Sequence, residues 1–292
     1  MTEIRSTDRL TSTEAAGVLA LAAAAEKADG VYPLSEDVVL RVRGGGDPAT
    51  QRHLLAAQDG ELVGYAFLED ASGELFVHPA QRRRGHGAAL LAAAGDGPLT
   101  FWAHGDEPGA QAFAEKAGFA RVRVLWQMRR SLLEPLPDIP LPAGLTVRGF
   151  RVGSDEDAWL AVNARAFAHH PEQGRWTIDD LSLREAEPWF DPAGFLLAVD
   201  NEDKLAGYHW TKVHPASGDD PALGEIYVLG VDPSGHRKGL GAALSVAGLR
   251  HLAAQGLTVS NLYVDESNAA AVALYRRLGF EIFKTDVSYQ RH

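Results

Sequence analysis

No cysteine occurs in the 292 residues. Disulfide bridges, thiolate metal sites and an acyl-cysteine intermediate are thereby excluded, and cytoplasmic residence is the natural expectation. Absent too is any run of about twenty apolar residues, the length a helix needs to cross a bilayer. The alanine-rich stretch from Ala15 to Ala25 follows Glu14 with no basic flank, so it reads as an amphipathic helix and not as a signal peptide. Positive charge is in short supply: 28 basic against 39 acidic residues leave a formal net charge of −11. A field of that sign disfavours nucleic acid and suits a small cationic substrate.

What is present is one passage written twice. Leu75-Phe76-Val77-His78-Pro79 and Arg82-Arg83-Arg84-Gly85-His86-Gly87-Ala88 return as Leu229-Gly230-Val231-Asp232-Pro233 and His236-Arg237-Lys238-Gly239-Leu240-Gly241-Ala242, 154 positions later throughout. Downstream, Lys116-Ala117-Gly118-Phe119 answers Arg277-Leu278-Gly279-Phe280 at a spacing of 161, so the second copy carries seven more residues in this interval. Two long matched blocks in one order mean a duplicated domain, not a solenoid. The expected division is a first domain over 1–134, a proline-rich linker over 135–144 and a second domain over 145–292. Pro135, Pro137, Pro140 and Pro142 prevent that junction from forming a helix or a central strand.

Each copy reads as strand, basic glycine loop and helix. Glycines allow the backbone to approach a ligand, and the amides of the following first turn attract an anion that flanking Arg or Lys reinforces. A pyrophosphate fits such a loop. A single Gly-x-Gly after a strand is usually an ordinary turn, but two copies that both keep their basic residues argue otherwise. Neither the nucleotide P-loop pattern nor the full dinucleotide fingerprint is present.

These residues, with Asn268-Ala269-Ala270-Ala271-Val272-Ala273-Leu274-Tyr275-Arg276-Arg277-Leu278-Gly279-Phe280 downstream, resemble the acetyl-CoA signature of the GCN5-related N-acetyltransferases. His236 departs from it, standing where Arg or Gln is usual. The resemblance implies an α/β (α+β) fold of two tandem domains. Each would be a mixed, mostly antiparallel sheet flanked by helices, with a V-shaped opening for the acyl-pantetheine. It implies acetyl-CoA contacts from Leu229 to Val231, His236 to Ala242 and Asn268 to Ala273, and in the first half from Leu75 to Val77 and Arg82 to Ala88.

Aminolysis of a thioester needs a deprotonated amine, an oxyanion donor and a proton for the thiolate. Tyr275 stands where the family places its general acid, and the matching first-half residue is Ala114. Glu225 lies six residues before Val231 in the strand entering the loop and is the candidate base, with an amide of Leu229 or Val231 as oxyanion donor. Counting back from Val77 gives Ala71 at the equivalent place and leaves Glu74 with the opposite parity, so the first half is expected to bind without catalysing.

Across the whole chain the sequence resembles two-domain members of that family that acetylate the cysteinyl amine of Cys-GlcN-Ins. The stretches Asp29 to Glu36, Phe167 to Gly174, Glu187 to Pro192, Gly207 to His214 and Leu262 to Asp265 carry this likeness. It implies that Glu36, Glu172, Lys212, Glu225 and Tyr263 line the acceptor site, between the two domains, and that one acetyl-CoA binds per domain. Glu36 could equally be an acid in the first turn of a helix. His169 and His170 beside Glu172 lack a second ligand cluster, and no metal is expected. Trp189 and Trp210 read as packing groups. A monomer is expected. Acetylation of another small amine or a protein N-terminus, and a non-enzymatic acetyl-CoA sensor, stay open.

Overall fold

A computed structural model describes residues 2–168, 173–216, 220–235 and 238–292. The chain divides into two compact units, one of Met1–Leu125 with Lys284–His292, the other of Trp126–Phe283.

The first unit runs β1 (Glu3–Thr7), α1 (Ser12–Asp29), α2 (Glu36–Val42), β2 (Gln51–Gln58), β3 (Glu61–Glu69), β4 (Ser72–Val77), α3 (His86–Ala94), β5 (Leu99–Ala103) and α4 (Pro108–Lys116), and ends in the opening residues of β6 (Ala120–Ser131). Strands β1 to β4 pair antiparallel in chain order, and β5 joins β4 in parallel. Local chemistry sets the helix ends. Thr11 and Glu14 form a reciprocal capping box at the start of α1, and Gly30, left-handed at φ 70°, closes it. The alanine-rich stretch is thus a helix, and it buries Val18, Leu21, Ala22 and Ala25 along one stripe. One sheet face packs Tyr65, Phe67 and Phe76 against α1 and α2, while the other packs Leu54, Ala66 and Leu90 on the α3 side.

The second unit contains the end of β6, then β7 (Thr146–Gly149), α5 (Glu156–Ala166), α6 (Ile178–Glu185), β8 (Phe195–Val199), β9 (Leu205–His214), β10 (Leu223–Val231), α7 (Leu240–Ala254), β11 (Val259–Asp265), α8 (Ala269–Arg277) and the start of β12 (Glu281–Arg291). Strands β7 to β10 pair antiparallel and β10 pairs β11 in parallel. Both sheets are mixed and mostly antiparallel. On one face Trp159, Phe195, Tyr208, Trp210 and Val228 form an aromatic core with α5 and α6; on the other, Ile226, Leu249, Leu252, Leu262 and Phe280 pack with α7 and α8.

The boundaries differ from those the proline run suggests. Residues 126–131 belong with the second unit, and the last part of β12 pairs β5 of the first, Val287 opposite Ala103 through Arg291 opposite Leu99. Val287 and Tyr289 are buried in that first core. The proline-rich stretch forms neither helix nor strand over 135–142, and it is not free. Leu136 and Ile139 pack on the second core, and Arg250 reaches the Pro137 carbonyl and the Asp138 carboxylate at 3.3 and 3.0 Å.

Candidate active site

Both glycine loops adopt one construction. β10 leads through a 3-10 turn at Pro233–Gly235 to Gly239, left-handed at φ 84°, and then α7; β4 leads through Pro79–Gln81 to Gly85 at φ 92° and α3. Only glycine takes such a φ without strain, which explains the first glycine of each pair. The second is not forced: a Cβ on Gly87 or Gly241 would meet side chains at 3.5 and 3.7 Å, ordinary contacts. Each turn is pinned by the side chain before its proline. Asp232 accepts from the Ser234 amide at 2.9 Å, and His78 Nδ1 accepts from the Ala80 amide at 3.2 Å. The hydrogen bond from Arg165 holds the Asp232 carboxyl down at about 2.

Neither loop helix has a side-chain cap, whereas α1, α2, α6 and α8 all do. As in α4 and α5, which also lack such a cap, the first-turn amides of α3 and α7 have no side-chain cap partner. Lys238 is exposed beside them in the second unit, while His236 and Arg237 lie outside the described residues. In the first unit Arg83 and Arg84 are exposed, but Arg82 is engaged by both oxygens of Asp29 at 2.7 and 2.5 Å. His86 turns inward, 2 % exposed, with Nδ1 2.9 Å from the Thr2 hydroxyl. Asn268 caps α8 by accepting from the Ala271 amide, and Ala269, Ala270 and Ala273 are exposed along its first turns.

The expected V-shaped opening is present in each sheet. Strands β10 and β11 pair only from Leu223–Val259 to Ile226–Leu262, and β4 and β5 only from Ser72–Thr100 to Glu74–Trp102. Beyond those points the loop-ward ends, Leu229 to Val231 and Leu75 to Val77, keep only their antiparallel partners.

At the mouth of the second opening the β10 register shifts between Ile226 and Val228, so Tyr227 is an extra residue. The bulge reverses the parity on which the sequence reading of Glu225 relied. Glu225 faces Lys212 across the ladder and shares the aromatic face with Val228, not the α7 face of Val231. It is 5 % exposed, and its Oε2 is in short contact with Nε2 of His214, two residues beyond Lys212. Lys212 Nζ sits 4.3 Å from the Trp189 ring centre and 5.1 Å from that of Tyr227. In parallel register Glu225 matches Asn261, so Tyr263, two further along β11 and 46 % exposed, shares this face. Tyr275 lies on the opposite face, its ring 5.8 Å from Phe280 in the α7–α8 core, and burial pushes its phenol well above the usual value. It is protonated at neutral pH.

In the first unit parity holds: Glu74 lies on the face opposite Val77. With no bulge in β4, Glu74 pairs Phe67 and lies on the α1–α2 face, the counterpart of the Glu225 face. A buried carboxylate is therefore present, but it is committed. Glu74 Oε2 accepts from the Ser35 amide at 2.8 Å, and Oε1 lies 3.4 Å from His104 Nε2. His104 Nδ1 is 3.1 Å from Asp286, whose other oxygen accepts from the Gly105 amide at 2.8 Å. Desolvation lowers the His104 pKa, yet Glu74 and Asp286 together outweigh it and raise the imidazole to about 10. Ala114, in the place of Tyr275, is a buried core residue.

Of the expected acceptor residues, Lys212, Glu225 and Tyr263 share one face of the second unit. Glu36 stands in the first unit as the opening residue of α2, after the cap Ser35, where an acid meets the positive helix end. Glu172, with His169 and His170, lies outside the described residues. Trp210 is a packing group, stacked on Phe195 at 4.3 Å, whereas Trp189 both packs and carries Lys212. His214 and Asn261, which also lie on this face, are not among the expected residues. Alternation from Lys212 would have found His214; Asn261 needs the strand register.

The same architecture is known elsewhere. A family model described as the acetyltransferase (GNAT) family matches residues 160–280, and one described as an acetyltransferase (GNAT) domain matches 49–121. A tandem GNAT protein from the clavulanic acid biosynthesis pathway superposes with a TM-score of 0.76 at 21 % identity, covering 100 % of this chain and 98 % of that one. A GCN5-related N-acetyltransferase from Sphaerobacter thermophilus gives 0.67 at 27 % identity, over 99 % and 95 %. The chain belongs to the GNAT acetyltransferase family and is an acetyl-CoA-dependent acetyltransferase. Within that family, it is 56 % identical to the mycothiol acetyltransferase of Salinispora arenicola, over 98 % of this chain and 95 % of the relative. The mycothiol acetyltransferase of Thermomonospora curvata is 54 % identical, over 97 % and 95 %.

Proposed function

We propose that this chain moves acetyl from acetyl-CoA to the cysteinyl amine of Cys-GlcN-Ins, forming mycothiol. The observation that carries the mechanism is the two-sided opening between β10 and β11. A buried carboxylate with a histidine lies on one face and a protonated phenol on the other. The acceptor enters on the Glu225 face, and the thioester reaches the gap from the α7 side. Glu225 takes one proton from the ammonium and passes it to His214, whose side chain is 35 % exposed and delivers it to solvent. The freed amine attacks the carbonyl carbon, and an amide of Leu229 or Val231 holds the oxyanion. As the C–S bond breaks, Tyr275 protonates the thiolate and recovers the second amine proton. One proton is released per amide formed, with no covalent enzyme intermediate.

Lys212, fixed by Trp189 and Tyr227, donates to acceptor oxygens, and Tyr263 offers a ring and a hydroxyl. Glu36 and Glu172 join this acceptor set through the family resemblance. The uncapped α7 start, with Lys238, takes the pyrophosphate. The first unit's loop binds a second acetyl-CoA that does not turn over, because Glu74 is locked and Ala114 replaces the acid. Cytoplasmic residence and a monomeric state belong to the same reading.

The test is CoA thiol release with purified protein, acetyl-CoA and Cys-GlcN-Ins beside other small amines and an N-terminal peptide. Turnover confined to Cys-GlcN-Ins supports the reading. Turnover only on another amine sinks the acceptor, and acetyl-CoA binding without turnover on any amine sinks the reaction.

A further inference from the structure

Asn261 lies in the interior of β11, 2 % exposed, and its Oδ1 is buried with no hydrogen-bond partner among the described residues. A buried carbonyl left unpaired is costly and asks for an explanation. Other orphan atoms, such as the ring nitrogens of Trp159 and Trp210, sit on large side chains packed in the aromatic core. Asn261 differs in position. It is the ladder partner of Glu225, one pair before β10 and β11 separate, on the face shared by Lys212 and Tyr263.

Two acceptors side by side at the mouth of the opening, one carboxylate and one amide oxygen, form a fitting cradle for a primary ammonium. We infer that Asn261 is a binding residue for the acceptor's amine, its Oδ1 accepting one N–H while Glu225 removes the proton of another. Deprotonation leaves the lone pair pointing at Glu225, and the N–H held by Oδ1 limits the turn that brings it to the gap where the thioester carbonyl arrives. The same contact discriminates by class: a tertiary amine has no N–H left for Oδ1. The inference rests on the acetyl-transfer reading above, with Glu225 as base.

Four variants, read by steady-state kinetics and thermal melting, decide it. Asn261→Leu, close in shape and without polar atoms, is expected to lower kcat/KM for Cys-GlcN-Ins by about thirtyfold, the effect of a lost hydrogen bond to a charged group. The KM for acetyl-CoA should stay within twofold. The melting temperature should be unchanged or higher, since an unpaired buried carbonyl is removed; a merely structural Asn261 would lower it. Asn261→Asp keeps an acceptor oxygen and should hold the acceptor KM within about threefold. If the leucine variant does not fold, Asn261→Ala replaces it with the same expectation for kcat/KM. Wild-type kcat/KM in the leucine or alanine variant overturns the inference, as does a loss accompanied by a lower melting temperature and a changed acetyl-CoA KM. Glu225→Gln, run alongside, separates the failures. Full turnover in that variant sinks the base assignment itself, whereas turnover lost there but intact in the Asn261 variants sinks only the amine contact.

Discussion

In the proposed reaction Glu225 and Tyr275 divide proton handling between two faces of one sheet, and their surroundings suit opposite tasks. The phenol is buried among apolar side chains and keeps its proton at rest; a thiolate is a weaker base than a phenolate, so in the proposed reaction Tyr275 gives its proton up only as it recovers the second amine proton. The carboxylate is buried next to a half-exposed histidine, so a proton it receives has a way out. Tyr275→Phe removes only the hydroxyl from a ring that packs on Phe280. It should lower kcat by about a hundredfold, within the range for general acid catalysis, and leave the melting temperature nearly unchanged. Steady-state kinetics beside a thermal melt checks this, and an unchanged kcat removes Tyr275 from the mechanism. At this scale the sequence showed a good deal. Glu225 and Tyr275 stand out by their places beside the repeated motifs, read with the family resemblance, while Lys212 and Tyr263 enter through that resemblance alone. Which face each occupies was not legible, because one bulged residue, Tyr227, inverts every parity upstream of it and has no mark in the sequence.

At the scale of elements, the network of Glu74, His104 and Asp286 joins four pieces of the first unit. These are β4, the end of β5, the last strand, and the start of α2 through the Ser35 amide. The His104 pKa is raised in the folded state to about 10 from an ordinary 6.5, so folding takes up a proton between those values. The stabilisation is therefore complete below about 6.5 and is lost as pH rises through about 10. His104→Gln leaves two buried carboxylates without their cation, and a loss of about 3 kcal/mol is expected at neutral pH. Denaturant melts from pH 6 to 11 should show the gap between wild type and variant closing towards the alkaline end. A gap independent of pH would mean that His104 is neutral in the fold. The duplication is legible in the repeated loops, but this network is not, since its members lie far apart in sequence and come together only through strand pairing.

For the whole molecule, the boundary between units is set by strand exchange and not by proline. The linker expected over 135–144 lies on the second core, while Lys284–His292 completes the first sheet. Composition marks where a chain is stiff; it does not say which sheet its last strand joins. Truncation after Phe283 should leave Leu99–Ala103 as an open edge and remove Asp286, Val287 and Tyr289 from the first unit. Hydrogen exchange should then show protection lost across Met1–Leu125 and largely kept in Trp126–Phe283. Equal protection in the truncated and full chains would contradict the division. Among the described residues no helix is long and apolar enough to cross a membrane, and no group of three or more His, Asp or Glu is placed to hold a metal ion.

In the proposed reaction one of the two repeated sites performs the chemistry, through a base on the acceptor face of the second unit. The most direct measurement is turnover of acetyl-CoA and Cys-GlcN-Ins by Glu225→Gln, an uncharged replacement of nearly the same shape. A folded variant whose kcat is at least about a hundredfold below wild type is the predicted result; a kcat within threefold would contradict it and return the locked first unit, or a base elsewhere, to consideration.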